Sequence, residues 1–182
     1  YLSKNHFQKR SILFLDGYFN QNWTYESLKE VFTKLKLKKI NLNKNTIKVC
    51  NENVIIHIRG GDFLNIENLN ICKSDYYRKS IKYFLSKGFK KFSVVSEDRK
   101  YSKEIIKDMK KCFDDLKISL LNSNSIKEDF NIIRSSRLAI LGNSTFSWWA
   151  SFLSNTKIEF LVPSNFSSRE KRIILPNETI IK

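Results

Sequence analysis

His57-Ile58-Arg59-Gly60-Gly61-Asp62 brings an imidazole, a guanidinium and a carboxylate together beside two glycines. A guanidinium recognises phosphate or carboxylate through paired N–H donors. Glycines let the backbone turn sharply or come close to a ligand. Gly142-Asn143-Ser144-Thr145 is a second such stretch. It stands directly before a helical pattern, and a helix start offers free N–H groups and a positive dipole end that suit phosphate. Ser144, Thr145 and Ser147 add hydroxyl donors. Two further polar stretches are Ser96-Glu97-Asp98 and Asn122-Ser123-Asn124, the latter leading to Asp129. Taken singly, each has an ordinary structural use. Asn143, Ser144 or Thr145 caps a helix, a strand histidine sits in the core, and an Arg–Asp pair is a salt bridge. Trp148 and Trp149 pack a helix onto a sheet. Falling together at strand ends, they point to a phosphate-bearing ligand such as a nucleotide.

The elements that must position these residues follow from periodicity. Val54–Arg59, Phe92–Ser96, Ile118–Leu121, Leu138–Leu141 and Ile158–Val162 read as short buried strands, the last ended by Pro163. Alternation puts His57 and Arg59 on one face and Ile58 on the other. Between the strands, Ser74–Lys87, Tyr101–Cys112, Ser125–Ser136 and Thr145–Ser154 carry helical spacing, with Ser74 and Ser125 as caps and Gly88 as a stop. Strands alternating with helices predict a Rossmann-like α/β domain, a parallel sheet with helices on both faces, over 49–182. Ligands of such sheets bind beyond the carboxyl ends of the strands. Upstream, Ser11–Leu15 reads as a strand and Thr24–Leu35 as a helix. The Lys/Asn stretch 36–53 lacks clear periodicity and reads as an exposed connection.

The 182 residues fit one domain, or one domain with part of another, and 41% hydrophobic content suffices for a core. The net charge of +15 is compatible with an anionic ligand, an acidic membrane surface or nucleic acid, but most of the lysines read as a coding bias scattered over solvated faces. Cys50, Cys72 and Cys112 have neither zinc spacing nor a paired framework, and read as reduced thiols in a reducing compartment. No apolar run approaches the ~18 residues of a membrane span. The opening YLSKNHFQKR has no signal-peptide character, and a start at Tyr1 rather than Met suggests a segment upstream. GxGxxG and GxxxxGK[ST] are absent, as is a DxD run, and His6 and His57 are the only histidines.

HIRGGDF resembles the HxRRGD motif of the α-1,2-fucosyltransferases, glycosyltransferase family 11. The likeness continues in order. LDGYFNQNWTYE (15–26) is similar to the G-Y-[FW]-Q segment, SDYYRKSIKYF (74–84) to the Tyr-Tyr helix, and FSVVSEDRKYSKE (92–104) to the F-S-[DE]-D segment. EDFNIIRSSRLAILGNSTFSWWASFL (128–153) is similar to the NS[ST]FSWW signature with its acidic-led helix.

The resemblance implies the C-terminal half of a GT-B enzyme: inverting, metal-independent transfer of fucose from GDP-fucose to a glycan acceptor with terminal galactose. It implies no cofactor beyond that donor and no nucleic-acid partner. Residues 1–48 would be the end of the N-terminal, acceptor-side half or a linker. Arg59 would hold the diphosphate and His57 line the nucleotide site. Asn143, Ser144, Thr145 and Ser147 would serve phosphate and sugar, with Ser96 and Asp98 near the nucleotide. Asp129 would accept from guanine N–H groups. Asp62 would brace Arg59, touch the acceptor or act as base, a role equally open to a residue of the other half.

Two departures stand out. Gly60 occupies the place of the motif's second arginine, a loss that Arg99, Arg134 or Lys73 could offset. The Gly-rich GNQ[ML]FQ opening is also missing, so the chain reads as a C-terminal portion or a divergent short form. Another linkage, or a non-catalytic GDP-sugar- or anion-binding basic domain, is the alternative. Cytoplasmic residence with peripheral contact to an acidic membrane is the expected location.

Overall fold

Parallel strands need crossovers, and here the crossovers are helices. The computed structural model describes residues 25–33, 42–66, 71–123, 125–165 and 172–182. Its elements run α1 (Tyr25–Thr33), α2 (Lys44–Glu52), β1 (Val54–His57), a 3₁₀ turn (Gly61–Asn65), α3 (Ser74–Ser86), β2 (Lys91–Val95), α4 (Arg99–Cys112), β3 (Lys117–Leu120), α5 (Ile126–Ser135), β4 (Leu138–Leu141), α6 (Thr145–Phe152), β5 (Glu159–Pro163) and β6 (Glu178–Ile181). The strands form one sheet in the order β3-β2-β1-β4-β5-β6, every pair parallel. This is the doubly wound order, and its direction reverses between β1 and β4. The register there is His57 beside Val95 on one side and beside Leu141 on the other.

Both sheet faces are covered, which is why the central strands read as unbroken apolar runs. Val54, Ile56 and Ile58 face Tyr77, Ile81 and Phe84 of α3 and Ile105 and Met109 of α4. Ile55, Ala139, Leu141 and Phe160 face Cys50 of α2, Ile132 and Ile133 of α5 and Ala150 of α6. Each such side chain, fully removed from water, contributes about 2 kcal/mol. Trp148 is fully buried, and α1 covers it through Leu28. Trp148 is therefore core, as the helix-packing reading expects.

Helix ends follow their capping chemistry. Asp98 caps α4, Ser125 caps α5 and Ser144 caps α6, each accepting a backbone N–H of the first turn. Past α3, Gly88 at φ 87° allows a Schellman stop: Gly88 N–H donates to Leu85 O and Phe89 N–H to Phe84 O, both at 3.0 Å.

Several expectations are corrected. Part of the stretch read as a connection over 36–53 is α2, capped by Asn43 and seated through Val49 and Cys50, so residue 48 lies inside a helix. The cap position of α3 is Lys73, and Ser74 instead donates from its hydroxyl to Asp108 at 2.9 Å. Pro163 closes β5 from within the strand, and β6 pairs beyond it. The strand expected at 11–15 and the segment 15–24 lie outside the described residues. All three cysteines are free; burial pushes the Cys50 thiol up to about 11 and the Cys72 thiol up to about 12.

Candidate functional site

At the switch point the chain leaves β1 and β4 side by side. Gly142 N–H donates to His57 O at 2.9 Å, and the Tyr77 hydroxyl donates to the same carbonyl at 3.4 Å. A Cβ on Gly142 would stand 2.8 Å from His57 O, 3.1 Å from the Tyr77 hydroxyl and 3.2 Å from Arg59 N. Only glycine lets the two loops pass this closely. On the far side the Tyr76 hydroxyl donates to Leu141 O at 2.8 Å, fastening β4 to α3.

Arg59 leaves this junction with its guanidinium partly exposed. One terminal nitrogen bonds Glu97 in a short contact, and the other donates to Asp62 Oδ1 at 2.7 Å. The guanidinium lies 4.1 Å over the Phe63 ring. Its Nε is buried with no hydrogen-bond partner among the described residues. The cation is thus stacked and ion-paired through both terminal nitrogens.

Asp98 ties the next loop in. Its carboxylate accepts from Tyr101 N–H at 2.9 Å and from Gly61 N–H at 2.8 Å. These bonds to the charged form hold its pKa below the usual carboxylate range. Ser96 Oγ accepts from Asp98 N–H at 3.1 Å and stiffens the same turn. A Cβ on Gly60 would meet Asp98 Oδ2 at 2.6 Å and Asp98 Cβ at 2.8 Å. A Cβ at 60 would force Asp98 out of this clamped position. Of the proposed substitutes, Arg99 stays at the rim, donating to Leu121 O and to Asn122 Oδ1 at 2.8 Å. Arg134 does not: its Nε donates to Leu153 O, beyond the end of α6. Lys73 stands beside the ends of β5 and β6, lining a recess of about 300 Å³ with Tyr76 and Pro163.

The Asn143–Ser147 turn uses most of its polar side chains internally. Ser144 Oγ accepts from Phe146 N–H at 3.1 Å. Ser147, expected to face a ligand, is fully buried, with its Oγ bonded to Gly142 O at 2.9 Å and Ser144 O at 3.0 Å. Asn143 is 4% exposed and Thr145 is half-buried, so Thr145 is the most accessible hydroxyl of the group. What the turn offers outward is chiefly the amide end of α6.

His57 is also inside. Its ring packs 5.7 Å from Phe146, and Nδ1 finds no hydrogen-bond partner among the described residues. Burial, with the positive charges of Arg59 and Arg172, pushes its pKa down to about 3, so the imidazole is neutral. Asp129, in the first turn of α5, is 8% exposed. Burial raises its pKa, and Glu97 and Glu128 push the same way, against a hydrogen bond from Ser123. Its Oδ1 has no partner among the described residues.

The structure therefore gathers Arg59, Asp62, Ser96 and Asp98 around the β1 end and sets the Asn143–Thr145 turn against that loop. His57 and Ser147 are turned beneath the surface. Glu97, absent from the sequence-derived set, is the residue that grips Arg59. Its sequence signals are an acid directly after a buried strand and its place in the stretch similar to F-S-[DE]-D.

Comparison with known proteins gives the family and the fold. The sequence pattern described as Glycosyl transferase family 11 matches residues 2–180. An Alpha-1,2-colitosyltransferase of Escherichia coli is 29% identical over 173 residues, covering 90% of this chain and 59% of the relative. The chain thus spans less than two thirds of that curated relative. Among solved structures, E. coli heptosyltransferase WaaC with ADP-2-deoxy-2-fluoro heptose superposes with a TM-score of 0.51 at 10% identity, over 86% of this chain and 47% of the other. That likeness is one of fold, the GT-B glycosyltransferase architecture. POFUT1 in complex with GDP-fucose aligns with a TM-score of 0.45 at 16% identity, over 76% of this chain and 45% of the other.

Proposed function

Since the chain belongs to glycosyl transferase family 11, we propose that it forms the donor-binding half of an inverting enzyme that moves fucose from GDP-fucose to a glycan ending in galactose, making an α-1,2 linkage without a metal. The observation that carries this reading is the junction at the switch point, where Gly142 bonds His57 O at 2.9 Å and the Arg59 loop meets the start of α6. The backbones of the Arg59 loop and of the turn before α6 lie side by side there, at the position where doubly wound sheets bind nucleotides and beside a helix start suited to phosphate.

The chemistry follows from charge development. As the fucose–oxygen bond breaks, the departing diphosphate gains negative charge. Arg59 and the α6 amides offset that charge as it forms, and one preorganised donor of this kind is worth ~100–1,000-fold in rate. An acceptor hydroxyl attacks the oxocarbenium-like carbon from the opposite face. A carboxylate takes its proton, either Asp62 or a residue of the acceptor-side half. The guanine reading rests on Asp129, a carboxylate with a spare acceptor oxygen in a buried setting. Two adjacent N–H donors on a base edge suit it, and uracil presents one. Residues 1–48 belong, in this reading, to the acceptor-side half or its connection. The protein works in the cytoplasm with peripheral contact to an acidic membrane.

A second donor has its own support. The relative at 29% identity is named a colitosyltransferase. Colitose is fucose without its 3-hydroxyl, so the same phosphate and base contacts serve both. Calorimetry with GDP, UDP, GDP-fucose and GDP-colitose, each with and without EDTA, tests the proposal. GDP should bind at least about tenfold more tightly than UDP, unaffected by EDTA, and Arg59→Ala should abolish binding. Unchanged affinity in that variant would remove the main support.

A further inference from the structure

The positive charge of the described helices is unevenly placed. α3 and α4, on one face of the sheet, together carry nine Lys and Arg against three Asp and Glu. α2, α5 and α6, on the other, carry four against three.

Within α4 the pattern sharpens. At 3.6 residues per turn, Lys100, Lys103, Lys107, Lys110 and Lys111 fall in one sector about 100° wide. Ser102, Ile105 and Met109 are buried on the opposite side, against the sheet. All five lysines are exposed. Their row is about 16 Å long. Asp108 approaches Lys111 at 3.9 Å, while the other four make no ion pair among the described residues. Alongside, Arg78, Lys79 and Lys82 of α3 line a groove of about 450 Å³ with Phe113. Asp75 offsets part of that flank, pairing with Arg78 and, at 2.9 Å, with Lys79.

We infer that the lysine row of α4 is the surface on which this protein docks to a bilayer of acidic phospholipid. This inference rests on the peripheral contact proposed above and assigns it to a face. Its chemistry favours headgroup phosphates over nucleic acid. Ammonium groups on flexible stems act as point charges and lack the planar fork that holds one phosphate bidentately. No large exposed apolar side chain of the described residues lies on α4, so nothing there stacks on bases or inserts into acyl chains. The face lies on headgroups by charge alone. Because α4 covers a face of the sheet while Arg59 and Ser144 stand at the strand ends, docking leaves the rim open.

Co-sedimentation with phosphatidylcholine vesicles, with and without about 30 mol % phosphatidylglycerol, tests this. The protein should bind only the acidic vesicles and release as salt rises. A lysine near an acidic surface is worth about fivefold, so Lys103→Gln with Lys107→Gln and Lys110→Gln should weaken binding on the order of 100-fold. Lys44→Gln with Lys48→Gln and Lys127→Gln, on the other face, should weaken it less than about tenfold. GDP affinity in the α4 variant should stay at the wild-type value. Loss of vesicle binding alone would then localise docking to α4, and loss of GDP binding alone in Arg59→Ala would concern the donor site. Equal losses in the two lysine variants would overturn the assignment in favour of bulk charge. DNA retention that depends on α4 lysines, without vesicle binding, would overturn it in favour of nucleic acid. Should the triple variant not fold, hydrogen exchange of the wild type over 99–112 reads the same face, and exchange unchanged by acidic vesicles would overturn the proposal.

Discussion

The two loops that meet at the rim carry positive character by different means. After β1 it is one side chain, Arg59, held by Glu97, Asp62 and the ring of Phe63. After β4 it is backbone, the first amides of α6, with Ser144 and Ser147 spent on bracing the turn. A guanidinium with two carboxylates can exchange partners when an anion arrives. Amides set by helix geometry cannot move, and they require no side chain. One loop supplies an adjustable charge and the other a fixed cradle, and substitutions should expose the difference.

The largest effect belongs to the adjustable side. Arg59→Ala should weaken GDP binding at least ~100-fold while changing the melting free energy by less than about 1 kcal/mol, because its ion pairs are partly exposed. Arg59→Lys should recover only part of the binding, since a point charge lacks the fork. The fixed side should behave in reverse. Gly142→Ala presses a Cβ onto His57 O and Arg59 N, both backbone, and should cost about 1–3 kcal/mol in a denaturant melt. Gly60→Ala meets only the Asp98 side chain and should cost less. If both glycine variants melt alike, the contrast between backbone and side-chain neighbours fails.

Asp98→Ala removes the α4 cap and the clamp on Gly61 together, and should cost about 1–2 kcal/mol. The smallest effect near neutrality comes from His57, beneath the junction. Its folded pKa, about 3, lies below the ordinary 6.5. The unfolded chain therefore takes up a proton first as pH falls. Its contribution is complete above pH 6.5 and is lost progressively towards pH 3. Between pH 7 and 6 the loss should be under about 1 kcal/mol. His57→Phe should flatten that limb of a pH–stability curve, and an unchanged limb would count against the buried neutral imidazole.

The sheet was readable because central parallel strands, buried on both faces, leave runs such as Val54-Ile55-Ile56. α2 was hidden by composition. Lys44–Glu52 holds few apolar residues and rests on Val49, Cys50 and the Asn43 cap. β6 is a half-buried edge strand after Pro163, without the run that marks the centre. At the site, the residue types at the β1 and β4 ends were legible, since glycine beside arginine and glycine before a helix have few uses. Orientation was not. Nothing in one dimension shows that Ser147 turns into the carbonyls of its own turn, that His57 lies under Phe146, or that Glu97 pairs with Arg59.

The most direct test of the shared grip is a nuclear magnetic resonance titration with GDP. It should follow the Arg59 side-chain Nε–H and the backbone amides of residues 144–147 in one sample. Both sets should shift together and saturate with a single dissociation constant. Saturable shifts confined to one of the two, or two separate constants, would contradict it.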